Sequence, residues 1–434
     1  MPSLGWALVV VCMAVGAIPA LGQCAEEQKL IAADIDANDE FGRSVSVSGD
    51  TAVVGAYGHD VAGSVFGSAY VYLRSGGVWT QQHNLTALDA ETGDGLGVSV
   101  SVSDETAVVG AWDDDDAGTS SGSAYVFVRA GAVWTQQQKL TASDAAAGDL
   151  FGVSVSVSGD TAVVGAYGDD DAGLVSGSAY VYVRCGEAWI QQQKLTASDG
   201  AASDFFGISV CVSGDTAVVG AELDDGAVSD SGSAYVYVRS GGVWTEQQKL
   251  TAADAAAGDQ FGISVSVSED TAAVGAVGDD SAGSFSGSAY VFVRSGGVWT
   301  QQQKLTASDA AAGDQFGVRV SVDGDTAVVG APRDGDAGDD SGSAYVYVRS
   351  GGVWNQQPKL TASNAAADDF FGISVSVNGD TAFVGAHYND DAGSLSGSAY
   401  AFSCGSECAP DLNRDGVADI LDFGVFQSLF DDCR

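Results

Sequence analysis

At 434 residues the chain is too long for one ordinary compact core, and 45% hydrophobic residues with 59 glycines and five prolines suit many short strands joined by tight turns. Its 58 acidic and 17 basic side chains give a net charge of −41. That excludes a general nucleic-acid binder, since a phosphate backbone needs a basic surface, and it favours solubility.

The chain opens with an apolar run from Trp6 to Ala20, then Ala20-Leu21-Gly22. Small residues at Ala20 and Gly22 suit cleavage before Gln23, so residues 1–22 are expected to be a secretory signal. Gln23 stands where a lipidation motif ahead of Cys24 would need a small residue, and no later stretch is apolar enough to span a membrane.

From residue 41 one pattern governs the chain. Phe-Gly stands at residues 41, 151, 206, 261, 316 and 371, Leu96-Gly97 fills the remaining slot, and the seven copies follow at a constant step of 55 residues. A fixed period of that size marks one supersecondary unit per copy, each burying its surface against its neighbours. The third copy serves as the pattern. In Phe151–Val157 the valines Val153, Val155 and Val157 alternate with Ser154 and Ser156, and a face of small serines lets a neighbouring sheet come close. Thr161–Ala166 reads as the second strand. Ser178–Val183 puts tyrosines on one face and valines on the other, as a strand buried on both faces requires. Trp189–Leu195, with three glutamines, is more polar and belongs at the outer rim. Short turns such as Ser158-Gly159-Asp160, and the stretch from Arg239 to Trp244, join antiparallel neighbours. Four strands per copy predict an all-β, seven-bladed β-propeller of four-stranded antiparallel blades.

Ring closure is also legible. Six copies end in a Trp-led, Gln-rich strand, at Trp79, Trp134, Trp189, Trp244, Trp299 and Trp354, whereas the seventh stops at Tyr400-Ala401-Phe402-Ser403. The missing strand is at the other end of the chain, where Gln28-Lys29-Leu30 matches Gln138-Lys139-Leu140, so the N-terminal strand is expected to complete the last blade. The same alignment puts Cys24 in the Trp134 slot and Cys404 in the Arg129 slot, predicting a Cys24–Cys404 disulfide across that hairpin. Cys185, in an outer turn, and Cys211, in an inner strand, are expected to be unpaired.

The Phe-Gly opening and Gly-Ala close, with Gly330-Ala331-Pro332 a literal Gly-Ala-Pro, resemble the FG-GAP repeats of integrin α-chain propellers and their bacterial relatives over residues 27–403. The resemblance implies a seven-bladed propeller, secreted or at a cell surface, used for adhesion or protein contacts. Integrin-type repeats that hold calcium carry an acidic cage between Phe-Gly and Gly-Ala-Pro. Here that link is a bare hairpin, so those calcium sites are not carried over.

Acidic residues gather elsewhere. The loop between second and third strands holds Asp113 to Asp116, Asp169 to Asp171, Asp224-Asp225, Asp279-Asp280 and Asp390-Asp391, and the link between blades holds Asp144 and Asp149 or their equivalents. Both loops leave an up-and-down blade at the same end, so one face is expected to be strongly negative and the recurring arginines to lie at the other. Two readings remain open: a surface that binds divalent cations or a basic partner, or turn-favouring aspartates on an acidic surface of the kind a salty habitat selects.

After Cys408 the pattern changes. Asp411, Asn413, Asp415, Asp419 and Asp422 fall at positions 1, 3, 5, 9 and 12 of a calcium loop, with Gly416 at its sharp turn and the Val417 carbonyl at position 7. Phe423, Phe426 and Phe430 follow at helical spacing, and Cys408 and Cys433 bracket the unit and are expected to pair. Residues 404–434 resemble half of a dockerin module, in which Asp also ends the loop, and this implies docking to an extracellular protein or the cell surface. Dockerins carry two such loops and this chain one.

The histidines His59, His83 and His387 share no repeated position, which argues against a zinc site or a catalytic triad. Gly118-Thr119-Ser120-Ser121-Gly122 fits a nucleophile-elbow pattern but falls between two strands. The expectation is therefore a signal peptide (1–22), a propeller (23–403) and a calcium-loop tail (404–434), forming a monomeric, non-enzymatic binding or adhesion protein. Calcium is its cofactor and an extracellular or cell-surface protein or polysaccharide its partner. The alternative is a secreted polysaccharide-processing protein recruited through the tail, with a carboxylate pair as its chemistry.

Overall fold

The computed structural model describes residues 24–61 and 64–404. The expected leader (1–22), calcium loop (411–422), helical spacing of Phe423, Phe426 and Phe430, and Cys408–Cys433 pairing all fall outside them. The described residues form seven four-stranded antiparallel sheets and one short two-stranded ribbon, Asp60–Val61 with Ser64–Val65.

Blade 2 shows the common plan: Leu96–Ser103, Thr106–Ala111, Ser123–Ala130 and Val133–Leu140 follow one another from the inside outwards. Blade 7 is made of Ser374–Asn378, Thr381–Ala386 and Ser398–Ser403 with the N-terminal Ala25–Leu30 outermost, where Lys29 pairs with Tyr400 and Leu30 with Ala399. Closure thus occurs as the sequence predicted, and no blade is left with three strands.

The core lies between blades. One cluster joins Val108, Ala124 and Val126 of blade 2 to Phe151, Val155, Tyr180 and Trp189 of blade 3, and six others repeat this arrangement round the ring. Phe151 is fully buried, with its ring edge-on to Tyr180 and Tyr182 at 5.5 and 6.2 Å between centroids. The glycines of the repeat follow from the same contact. A Cβ on Gly110, in the Gly-Ala of blade 2, would lie 1.9 Å from the carbonyl oxygen of Gly152, in the opening of blade 3. The two motifs recur together because each blade's Gly-Ala backbone rests on the next blade's opening.

The inner serines do more than stay small. Ser101 Oγ accepts a hydrogen bond from the Val157 amide of the next blade at 3.0 Å, and Ser156 accepts from Val212. Ser46, Ser266, Ser321 and Ser376 do the same, and Cys211 supplies a sulfur in the remaining place, 3.3 Å from the Val267 nitrogen. These bonds run unbroken round all seven blades. At the rim, Gln138 exchanges two bonds with the Trp189 backbone of the next blade, and this lattice fails where His83 and Pro358 replace the glutamine. Proline lacks the amide, so the outer strand of blade 6, Val353–Gln356, ends early.

Candidate functional site

At one end of each blade, two loops and the fourth strand meet around a lysine. Lys194 Nζ lies 2.8 Å from Asp144 in the link between blades, and 2.8 and 2.5 Å from Asp169 and Asp171 in the loop between second and third strands. Asp169 is buried and also accepts from Tyr180 Oη at 2.9 Å and Ser178 Oγ at 3.0 Å, whereas the Asp171 side chain is 64% exposed. Both acidic loops therefore emerge at the same end.

Lys139 and Lys359 repeat the full arrangement, whereas Lys249 and Lys304 keep two aspartates each, with Gly226 and Ser281 in the third place. In blade 7 Lys29 bonds Asn389 at 3.0 Å and also pairs with Asp391. Blade 1 departs from it: Asn84 takes the lysine's place, and His59 replaces the buried aspartate and shares a hydrogen bond with Ser68 at 2.9 Å.

The electrostatics follow from this packing. Burial pushes the Asp169 carboxyl up, but the bonds from Lys194, the Asp171 amide and Tyr180 outweigh it and hold the group below the usual carboxylate range. Asp279 is held at about 2 by the same balance, burial opposed chiefly by Lys304 and Ser281. Burial alone would lower Lys194, yet its three carboxylate bonds carry it well above the ordinary lysine value.

These cages bear on the metal question. The ligand oxygens of Asp144, Asp169 and Asp171, and of Asp309, Asp334 and Asp336, converge within 4.8 Å of one another. In both sets the ammonium of Lys194 or Lys359 bonds every member. A resident divalent cation does not fit these cages while the lysine is in place. The integrin-type position does not fit either, because the link between first and second strands is a two-residue turn, with Ser158 paired to Thr161.

The opposite end carries arginines, as expected. Arg184 Nε bonds Asp160 at 2.6 Å, its Nη1 reaches Thr106 of the preceding blade, and its guanidinium lies 5.8 Å from the Trp189 ring centroid. In blade 7 the Arg and Trp slots hold Cys404 and Cys24, which are joined as a disulfide. Cys185 is free and exposed, and Cys211 is free within the inner ring. The Gly118–Gly122 motif is a loop turn in which Ser121 Oγ donates to the Asp114 carbonyl. His59, His83 and His387 lie at separate places: the loop between second and third strands of blade 1, its outer strand opposite Val71, and the loop between second and third strands of blade 7.

A cavity of about 180 Å³ on the ring axis is lined by the first strands, and it breaks the repeat twice. Arg43 stands where the other copies carry Val or Ile, and Arg319 where the others carry Ser. Reading the sequence for common features passed over these two residues and the caging lysines. Comparing the copies column by column would have marked the arginines as exceptions, and the recurring Gln-Lys-Leu would have marked the lysines.

A comparison with curated proteins returned no match. The profile of the FG-GAP repeat family matches residues 24–72, 79–127, 134–182, 189–237, 244–292, 299–347 and 354–402. Each match begins at the outer strand of one blade and ends in the third strand of the next, so the periodic sequence, the ring it closes and these seven matches agree: the chain belongs to the FG-GAP repeat family.

Proposed function

We propose that this chain is a secreted or surface-attached binding and adhesion protein, non-catalytic and monomeric, whose propeller presents recognition loops while its tail docks or anchors it with calcium. The observation that carries the reading is the closed, disulfide-joined ring of FG-GAP blades. Such a fold is compatible with extracellular binding or adhesion, and a structural disulfide suits an oxidising compartment. No helix among the described residues is long and apolar enough to cross a membrane. The lysine cages support assigning calcium to Asp411, Asn413, Asp415, Val417, Asp419 and Asp422 in the tail and not to the blades. They hold the cage carboxylates on one ammonium, while the outermost of them, such as Asp171, keep most of their side-chain surface exposed toward a partner.

The test uses the mature chain from Gln23 and a version ending at Gly405, which keeps Cys404. Calorimetry is expected to find one calcium site in the first and none in the second; several sites surviving truncation would overturn the assignment. Each protein is then offered solubilised envelope proteins and insoluble glycans, with calcium and with chelator. Calcium-dependent retention of a defined protein through the tail supports docking, and retention on glycan supports the second reading of a polysaccharide-processing protein. Turnover of any polysaccharide in a panel would overturn the non-catalytic assignment.

A further inference from the structure

The axial cavity does not follow the rest of the molecule. At the position of Arg43 the other copies carry Val98, Val153, Ile208, Ile263, Val318 and Ile373, and at the position of Arg319 they carry only serine. In a chain of net charge −41, both departures are cationic and both line one cavity. Among the described residues neither guanidinium has a carboxylate within ion-pair distance, whereas Arg74, Arg129, Arg184, Arg239, Arg294, Arg333 and Arg349 all do.

The donors of these two side chains are mostly unspent. A guanidinium offers five N–H groups. Arg319 gives one to the adjacent Val318 carbonyl at 2.8 Å. Arg43 lies 3.5 Å from His387 Nε2 and 5.7 Å from the Tyr57 ring centroid. His387 is itself buried, and its Nδ1 has no partner. Burial, with the charge of Arg43 behind it, lowers Arg319 to about 10, and burial followed by the two arginines holds His387 neutral at about 3. Two carboxyls border the group. Glu40 accepts from Tyr57 at 3.4 Å and lies 4.0 Å from His387, and Glu222 is drawn toward its charged form by Arg319 although burial raises it to about 7. Cations that share a cavity without an ion-pair partner destabilise a fold unless something neutralises them.

We propose that the axial cavity is an oxyanion site, in which Arg43 and Arg319 together hold a sulfate, phosphate or carboxylate group. Guanidinium forks match the spacing of two oxygens on such a group, and the cavity has room for a sulfate-sized ion with water. The ligand is either a free ion or an acidic group on a small saccharide. The inference is independent of the docking role proposed for the tail.

The test takes the mature chain with Arg43→Val, Arg319→Ser and the double variant, all of which restore residues that the other blades already fold with. Sulfate is titrated by calorimetry and by thermal melting, against chloride at matched ionic strength. The wild type is expected to bind sulfate saturably, each single variant to lose at least about tenfold in affinity, and the double variant to lose binding altogether. In chloride alone the variants should melt above the wild type, because a repulsion has been removed. Glucuronate competing with sulfate, with glucose inert, would identify a saccharide carboxylate as the source, while sulfate binding without competition would identify a free ion. The absence of saturable binding, or an equal sulfate response in wild type and double variant, would overturn the proposal.

Discussion

Cys211 shows how much one atom matters in a repeated structure. It occupies the only position in the inner ring of inter-blade hydrogen bonds not filled by serine, and burial pushes its thiol pKa up. Sulfur is the weaker acceptor, so Cys211→Ser should stabilise the protein by about 0.5–1.5 kcal/mol, read as a higher calorimetric melting temperature. An unchanged or lower value would mean that the thiol's packing outweighs the better bond. Glu222 allows a pH test at the same scale. Its carboxyl is raised from 4.5 to about 7, so the folded state holds its proton more tightly than the unfolded state does. The stability this contributes is complete below pH 4.5 and is lost as pH rises through about 7. Glu222→Gln should match the wild type at about pH 4 and exceed it by about 1–3 kcal/mol at about pH 8. Urea unfolding at both values checks this, and a gain of the same size at both would refute the assignment.

The lysine cage is the telling feature at the level of elements, because it ties two loops and an outer strand into one unit. Asp279, held at about 2, contributes stability that is present above the unfolded carboxylate value of 3.8 and is lost as pH falls through about 2. The cages should therefore persist under mild acid. Lys194→Ala removes the central cation and leaves buried Asp169 facing Asp144 and Asp171. The expected cost near neutral pH is about 2–4 kcal/mol, below that of a fully buried pair because Lys194 keeps 18% of its side-chain surface exposed. Its oxygens are already close enough for a divalent ion, so millimolar calcium should recover part of the loss in the variant and none in the wild type. Melting curves that calcium leaves unchanged in both would show that the cage cannot be converted into a metal site.

For the whole molecule, closure is the weak point. Only in blade 7 do strands from opposite ends of the chain meet, so its integrity depends on the pairing of Ala25–Leu30 with Ser398–Ser403 and on the Cys24–Cys404 bond across a separation of 380 residues. Cys24→Ser should cost about 3–5 kcal/mol. It should also make residues 25–30 the first segment cut in limited proteolysis, monitored by mass spectrometry. First cuts elsewhere, with stability unchanged, would show that strand pairing alone holds the ring.

Strand number, radial order, N-terminal closure and the Cys24–Cys404 pair were all legible in the sequence. Each rests on periodicity, and a 55-residue repeat brings equivalent residues to equivalent places without any knowledge of how the chain bends. Cys24 could be matched to Cys404 because Trp134 and Arg129 pair in a complete copy. Both readings of the acidic loops had to stay open, since aspartate spacing does not say what stands between the carboxylates. Only the tertiary structure decided that it is a lysine, from a strand about 25 residues away in the chain, because a cage is formed by convergence and not by order along the chain. The same holds for the axial arginines. Arg43 and Arg319 are 276 positions apart and share a cavity only because the ring closes, which turns two minor departures from the repeat into a candidate site.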